Sequence, residues 1–414
     1  MTGESGPKQP ARFVVVGIGA DGWSGLSARA RAALDEATTV YGSARQLDLV
    51  AEHLTADTVP WRSPMSEHLR EVLCDSSAHG TIHVLASGDP MFHGIGSTIV
   101  RQVGRDRVTI VPAPSSVSLA AAELGWDLAS TTIVSTVTAP ASAVVPELGD
   151  GIRLLVLSRD GSTPAEIAEL CRAHGYGWTT MRVLENLGAA TQAVRTGLAR
   201  SWDDRPCAPL NITALDCVGP SSSHCPGLPD EAYEHDGQLT KQTVRALSVS
   251  ALAPAAGQLL WDVGAGAGSI GIEWLRCTRD GRAVAFEADR LRAAALRRNA
   301  EKLGVGHRLT LAGAVPEALA GAADPDAVFL GGGVDRDVLD TAWDALMPGG
   351  RIVGNAVAIE TQHLFIDAQE RYGGSLTRLS VERAAPLGRL TAWRPALPIV
   401  QWVAVKDDAA REDT

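Results

Sequence analysis

No run of the 414-residue sequence approaches the ~20 consecutive apolar residues that cross a bilayer, so no membrane span is expected. Cysteine is scarce: six residues (Cys74, Cys171, Cys207, Cys217, Cys225 and Cys277), none in a C-x-x-C pair. A disulfide framework or a zinc site is therefore disfavoured, and reduced thiols in a cytoplasmic protein are expected. His79 and His83 are four apart, but the segment around them (TIHVLASG) reads as a strand, where that spacing does not converge on a metal. No metal site is expected. Positive charge is also short. A net charge of -11 and a pI near 5.4, with no basic, aromatic-rich segment, argue against a nucleic-acid partner. The leader MTGESGPKQPAR lacks the apolar core of a signal peptide.

What remains is ample for two domains, at 45% hydrophobic residues and 21% charged. After a disordered leader (1–11), short apolar strand patterns alternate with helical ones up to residue 218. RFVVVGIG is followed by a helix pattern with Ser24 as N-cap, and VTIVPAPSS leads into SVSLAAAEL, stopped at Gly125. RLLVLS precedes Thr163-Pro164-Ala165-Glu166, the N-cap, first-turn proline and capping-box glutamate of another helix. Residues 219–237, rich in Pro, Gly and Ser, read as an interdomain linker or a lid over a pocket. From residue 238 to 406 the alternation resumes as one doubly wound α/β unit, and a charged tail (407–414) closes the chain. No internal repeat relates the halves.

The sharpest motif is WDVGAGAGSIGIEW. Gly264, Gly266 and Gly268, interleaved with Ala265 and Ala267, join a strand to a helix, so that backbone N–H groups can approach an anionic or polar ligand. Such a loop alone could serve NAD. Asp262 just before it, the G-x-G-x-G spacing and Glu287 at the end of the next strand favour S-adenosylmethionine (SAM), with Glu287 placed to accept from ribose hydroxyls. Methyl transfer needs mostly alignment, so no catalytic residue is expected to be legible, and none is assigned.

DGQLTKQTVRAL, DVGAGAGSIGIEW, AFEAD, LAGAVPEAL, VFLGGG and GNAVAIET resemble the decarboxylating precorrin methyltransferases of the CbiT type. VVGIGADGWSGLS, VLASGDPMFHGIGST, VPAPSSVSLAAAELGWDL and APLNITAL resemble CbiE-type tetrapyrrole methylases. The resemblance implies an α/β chain: an N-terminal tetrapyrrole methylase fold of two subdomains, then a Rossmann-like class I SAM methyltransferase. It implies one SAM per domain and a precorrin-6B substrate, methylated at carbons 5 and 15 with loss of the ring C acetate carboxyl. Self-association is implied as well.

By resemblance, SAM contacts fall on Gly88, Asp89, Pro90, Ser115 and Ser116 in the first half. In the second they fall on Thr240, the Gly264–Gly268 loop, Glu287, Gly313 and Ala314, the last through backbone only. Substrate contacts are expected at Gly19, at Gly331, Gly332 and Gly333, and at Asn355. Ala20 replaces a family proline, and His93 stands where many relatives carry tyrosine. A polycarboxylate needs local cations. Lys241 and Arg245, four apart, are candidates, as is Arg336, although the first two also fit a solvated helix face. The stripe Arg290, Arg292, Arg297, Arg298 and Lys302 reads as solvated surface, and Glu273, Trp274 and Trp261 as packing. Two other readings stay open: a methyltransferase acting on RNA or protein, and a corrinoid-binding chain with one inactive half.

Overall fold

The computed structural model describes residues 11–74 and 80–407. His79, most of the leader and nearly all of the tail lie outside them. The chain divides into two compact units, one of residues up to 141 with 148–220, the other of 142–147 with the chain from 221 onward. Among the described residues no helix is long and apolar enough to cross a membrane.

The first unit holds two sheets. Strands β1 (Arg12–Ile18), β2 (Thr39–Gly42), β3 (Asp57–Pro60), β4 (Thr81–Ser87) and β5 (Val108–Val111) form a parallel sheet in the order β3-β2-β4-β1-β5. Phe13, Val15, Val16, Val84 and Leu85 are almost wholly buried, as the apolar runs of doubly covered parallel strands require. Strands β6 (Thr132–Ser135), β7 (Arg153–Leu157), β8 (Thr180–Glu185), β9 (Ala193–Leu198) and β10 (Asn211–Asp216) form a second sheet, β6-β7-β10-β8-β9. It is antiparallel except for β6 against β7.

Caps explain where these helices start, and they correct two expectations. Ser27, not Ser24, caps helix Ala28–Asp35, its side chain accepting from the Ala30 N–H; residues Gly22–Gly25 instead form a short 3-10 turn. Helix Thr163–Ala173 begins one residue early, with Ser162 at the cap and Pro164 in the first turn. Helix Ser116–Leu124 does run from a Ser115 cap to a left-handed Gly125.

The second unit is built on β11 (Leu259–Val263), β12 (Arg282–Phe286), β13 (Leu309–Ala312), β14 (Ala327–Leu330), β15 (Arg351–Ala356), β16 (Ser375–Leu379) and, after the separate hairpin β17 (Glu382–Leu387) and β18 (Leu390–Pro395), β19 (Ile399–Val405). The sheet order is β13-β12-β11-β14-β15-β19-β16, parallel through β15 and antiparallel at β19 and β16. The order reverses between β11 and β14, and ligands bind such sheets outside the carboxyl ends of the strands at that switch point.

The segment read as a linker or lid is fastened to this unit instead. Glu273 accepts from the N–H groups of Gly227 (2.5 Å) and Leu228 (3.1 Å) and from the Tyr233 hydroxyl (3.0 Å). Tyr233 is buried, and desolvation with the neighbouring Glu273 charge pushes its hydroxyl pKa up. Part of the supposedly solvated stripe helps. Arg292 binds Asp236, Arg298 binds Glu234 and Lys302 donates to the Ala232 carbonyl. Glycines and prolines had hidden from the sequence reading how many side-chain partners this stretch has.

Candidate functional site

The parallel strands of the second unit deliver their carboxyl ends to a cavity of about 1390 Å³. Gly264, Gly266 and Gly268 carry φ of 69°, 58° and 82°, the left-handed region that glycine adopts without strain. At Gly264 a Cβ would sit 2.2 Å from the Gly332 carbonyl oxygen, so the glycine loops after β11 and β14 touch backbone to backbone across the switch point. Helix Ser269–Cys277 starts directly after Gly268, which offers no side-chain cap; the N–H of Gly271 is taken by Asp262, which leaves those of Ser269 and Ile270, both lining the cavity, for a ligand.

Two carboxyl groups flank this loop. Glu287 Oε2 accepts from the Gly266 N–H at 2.7 Å and Oε1 from the Asp289 N–H at 2.8 Å, which fixes the carboxylate on the cavity wall with lone pairs to spare. Asp262 is fully buried yet also lines the cavity. Its Oδ2 accepts from the Gly271 N–H at 2.9 Å, while Oδ1 has no partner among the described residues. Burial, with a smaller push from the Glu287 charge, raises this carboxyl to about 7. A buried oxygen lacking a donor, beside a glutamate held on the cavity wall by two backbone N–H groups, suits a cationic, hydroxyl-bearing cofactor such as SAM.

Thr240, Lys241, all five loop residues from Gly264 to Gly268 except Gly268 itself, Glu287, Gly331, Gly332, Gly333 and Asn355 line this cavity. Gly268 instead packs against Leu296, where a Cβ would meet Cγ at 2.7 Å. Asn355 lies on the wall with its amide engaged, donating to Ser248 Oγ (2.7 Å) and accepting from Gln401 (3.0 Å). Gly313 and Ala314 are exposed at the end of β13 and do not line the cavity; the larger side chain of Val315 does.

Arg245 is a correction. It is 0% exposed, and its guanidinium binds Glu273 (2.5 Å), Asp230 (3.1 Å) and the carbonyls of Thr240 and Leu228. No substrate can reach it. Lys241, the extended N-cap of the helix that begins at Gln242, reaches the same Asp230 at 3.7 Å but stays about half exposed and lines the cavity. Arg336 likewise is spent on Asp367 and does not line the cavity.

In the first unit a cavity of about 420 Å³ is lined from both sheets, by Gly19 and Gly88 on one side and by Leu157, Leu184 and Asn211 on the other. Ser116 lines it, but Asp89, Pro90 and Ser115 do not. Asp89 accepts from the Met91 N–H (2.8 Å) and so caps its own turn, Ser115 caps the following helix, and the Pro90 carbonyl packs where Gly94 and Gly96 leave room. Sequence reasoning missed Arg45 and Gln46, which line the cavity and donate to Ser87 Oγ at 3.1 and 2.9 Å. A signal was present: Ser43 and Gln46 form a capping box that starts helix Ala44–Asp48. His93 lines the cavity at φ 52°, a conformation costly for a side chain bearing a Cβ and found most often near functional sites.

Two unlike folds, each with its own cavity, define a two-unit SAM-dependent methyltransferase. Residues 12–202 match the family of tetrapyrrole (corrin/porphyrin) methylases, and residues 231–406 match the precorrin methyltransferase domain. The chain is 42% identical to the precorrin-6Y C(5,15)-methyltransferase (decarboxylating) of a Sinorhizobium species, over 94% of this chain and 95% of that one. It is 42% identical to the enzyme of the same name from Mycobacterium tuberculosis, over 95% of this chain and all of that one. The chain thus belongs to the precorrin-6Y C(5,15)-methyltransferase (decarboxylating) family. Among solved structures, the C-terminal domain of the Rhodobacter capsulatus member is 41% identical, spans 44% of this chain and 100% of that one, and superposes with a TM-score of 0.43.

Proposed function

We propose that the chain methylates precorrin-6B at carbons 5 and 15 and removes the ring C acetate carboxyl, giving precorrin-8X, with one SAM bound in each unit. The first unit serves carbon 5; the second serves carbon 15 and the decarboxylation. The observation that carries this reading is the size and lining of the second cavity. At about 1390 Å³ it exceeds the ~300–1,000 Å³ of ordinary small-molecule sites, leaving room for a macrocycle beside the cofactor loop.

SAM supplies a methyl group already activated by its sulfonium. The chain's residues then have three tasks. Glu287, the Gly264–Gly266 backbone and Thr240 hold the cofactor, and Asp262 offers its unpartnered oxygen nearby. Gly331–Gly333 leave space for the acceptor carbon to lie in line with the methyl group. Phe329, Val357 and Ile399, in or just beyond the adjacent strands β14, β15 and β19, give the cavity an apolar lining that strips water from a carboxylate pressed against it. When carbon dioxide leaves, the bonding pair passes into the macrocycle's conjugated system and a proton takes the carboxyl's place on the carbon. In the first unit, Gly19, Gly88, Ser116, Arg45 and Gln46 surround the proposed cofactor and carbon 5.

The setting proposed is cytoplasmic, in keeping with six unpaired cysteines, and self-association remains part of the proposal, to be read by light scattering. Incubation with precorrin-6B and SAM, followed by mass spectrometry, is expected to yield a product with two more methyl groups and one carbon dioxide fewer. Unchanged substrate beside active SAM would overturn the assignment.

A further inference from the structure

The cavity of the second unit has a wall that belongs to neither the sheet nor the glycine loops. Hairpin β17–β18 contributes Arg383 and Ala385 from one strand and Arg394 and Pro395 from the other, whereas Ala384 and Trp393, a pair on its other face, do not line the cavity. Along β17 this is the alternation that an extended strand imposes. Arg383 and Arg394 are direct partners across the ladder. Like charges placed directly opposite in an antiparallel pair repel and destabilise it.

Nothing nearby relieves this pair. Among the described residues neither arginine forms an ion pair, and Arg394 donates only to the Pro386 carbonyl at 3.2 Å. The other cations lining the cavity are neutralised: Arg292 by Asp236 at 2.8 Å and Lys241 by Asp230 at 3.7 Å. Two exposed guanidinium groups, adjacent, unpaired and turned to a large cavity, await an anion with more than one carboxylate.

We propose that Arg383 and Arg394 form a clamp for the non-reacting acid side chains of the tetrapyrrole, and so set which acetate meets the apolar wall. This rests on the function proposed above. The clamp does not serve the departing carboxyl. A guanidinium bound to that group would stabilise its charge before reaction and hold electrons that must move into the macrocycle. Gripping the peripheral carboxylates instead leaves the reacting one facing Phe329, Val357 and Ile399, where it has no cation. Binding energy from remote groups then presses the reacting acetate into its desolvated place.

The test uses the full chain with precorrin-6B and SAM, following carbon dioxide release and the mass of each product. Arg383→Gln and Arg394→Gln are each expected to raise KM for carbon dioxide release roughly tenfold, the loss of about one charge-assisted contact. The double variant should lose more, while methylation by the first unit stays within about twofold. It should also lose most of the salt dependence of KM. Arg383→Lys/Arg394→Lys should recover part of the loss, since lysine keeps the charge without the planar fork; this variant keeps the test open if the glutamine pair melts early. Arg389→Gln removes the same charge from the turn of the same hairpin, away from the cavity, and should leave KM unchanged. A wild-type KM in the double glutamine variant, or an equal rise in Arg389→Gln, would overturn the clamp. A wild-type enzyme that leaves precorrin-6B unaltered would instead sink the proposed function.

Discussion

The two cavities are built on opposite plans. In the second unit three adjacent strands of one parallel sheet, β12, β11 and β14, present their carboxyl ends side by side to the cavity. In the first unit the cavity lies between a parallel and a mostly antiparallel sheet, and its lining comes from strand ends, turns and helix starts scattered from Ile18 to Ile212. A sheet edge concentrates its chemistry in one compact motif; a cleft between sheets disperses it. Two ways of building a cavity thus leave very different traces in a sequence.

Matched glycine substitutions should break this comparison most sharply. Gly264→Val would drive a Cβ against the Gly332 carbonyl at 2.2 Å, at a φ of 69°. Gly17→Val would drive one against the Gly88 carbonyl at 2.3 Å and the Ala113 nitrogen at 2.7 Å. Each should reduce its own unit's reaction to background while sparing the other. Mass spectrometry should then find product with a single added methyl group in both cases, retaining the carboxyl only in Gly264→Val. Loss of both reactions in either variant would show that the units do not act independently.

A smaller effect is expected from Glu273→Ala, which leaves the buried Arg245 without its main partner and two backbone N–H groups without an acceptor. Breaking a buried pair from one side typically costs about 3–5 kcal/mol. Calorimetry should show the second unit melting earlier with the first unit's transition in place.

Smallest is a pH effect confined to the second unit. Asp262, pushed up to about 7 in the fold, ionises near 4 in the unfolded chain. Between those values the folded state binds the extra proton. Stability from this group is therefore full below about pH 4, falls as pH rises to about 7, and is flat beyond. The change is of the order of a few kcal/mol. Asp262→Asn should flatten that slope in urea titrations of the second transition; an unchanged slope would show that the carboxyl is not held neutral.

The same contrast explains what could be read in advance. The loop from Gly264 to Gly268 and Glu287 were legible because one local pattern, strand then glycines then helix, specifies them. In the first unit only the family resemblance pointed to a site. It chose Asp89 and Ser115, whose side chains are consumed by the capping those residue types do best, while Arg45 and Gln46 went unnoticed behind an ordinary capping box. Lys241 does line the cavity, while Arg245 was misjudged because its partners, Glu273 and Asp230, are distant in sequence and come together only in the fold. Arg383 and Arg394 were invisible because cross-strand neighbours are set by register. The two-residue turn at Gly388, with φ 61° and Leu387 opposite Leu390, was the one clue to that register.

The fastening of residues 227–238 also bears on how the enzyme could be taken apart. A fragment beginning at Gln238 would keep every glycine of the cofactor loop and still be compromised. Glu273 and Arg245 would lose Tyr233, Asp230 and the Gly227–Leu228 backbone, opening to water a helix whose residues from Ser269 to Arg276 are all buried. A fragment beginning upstream, at Ser221, keeps this covering and leaves out only residues 142–147, the second unit's other piece. What composition marks as dispensable connector is, in this fold, the second unit's first layer of insulation.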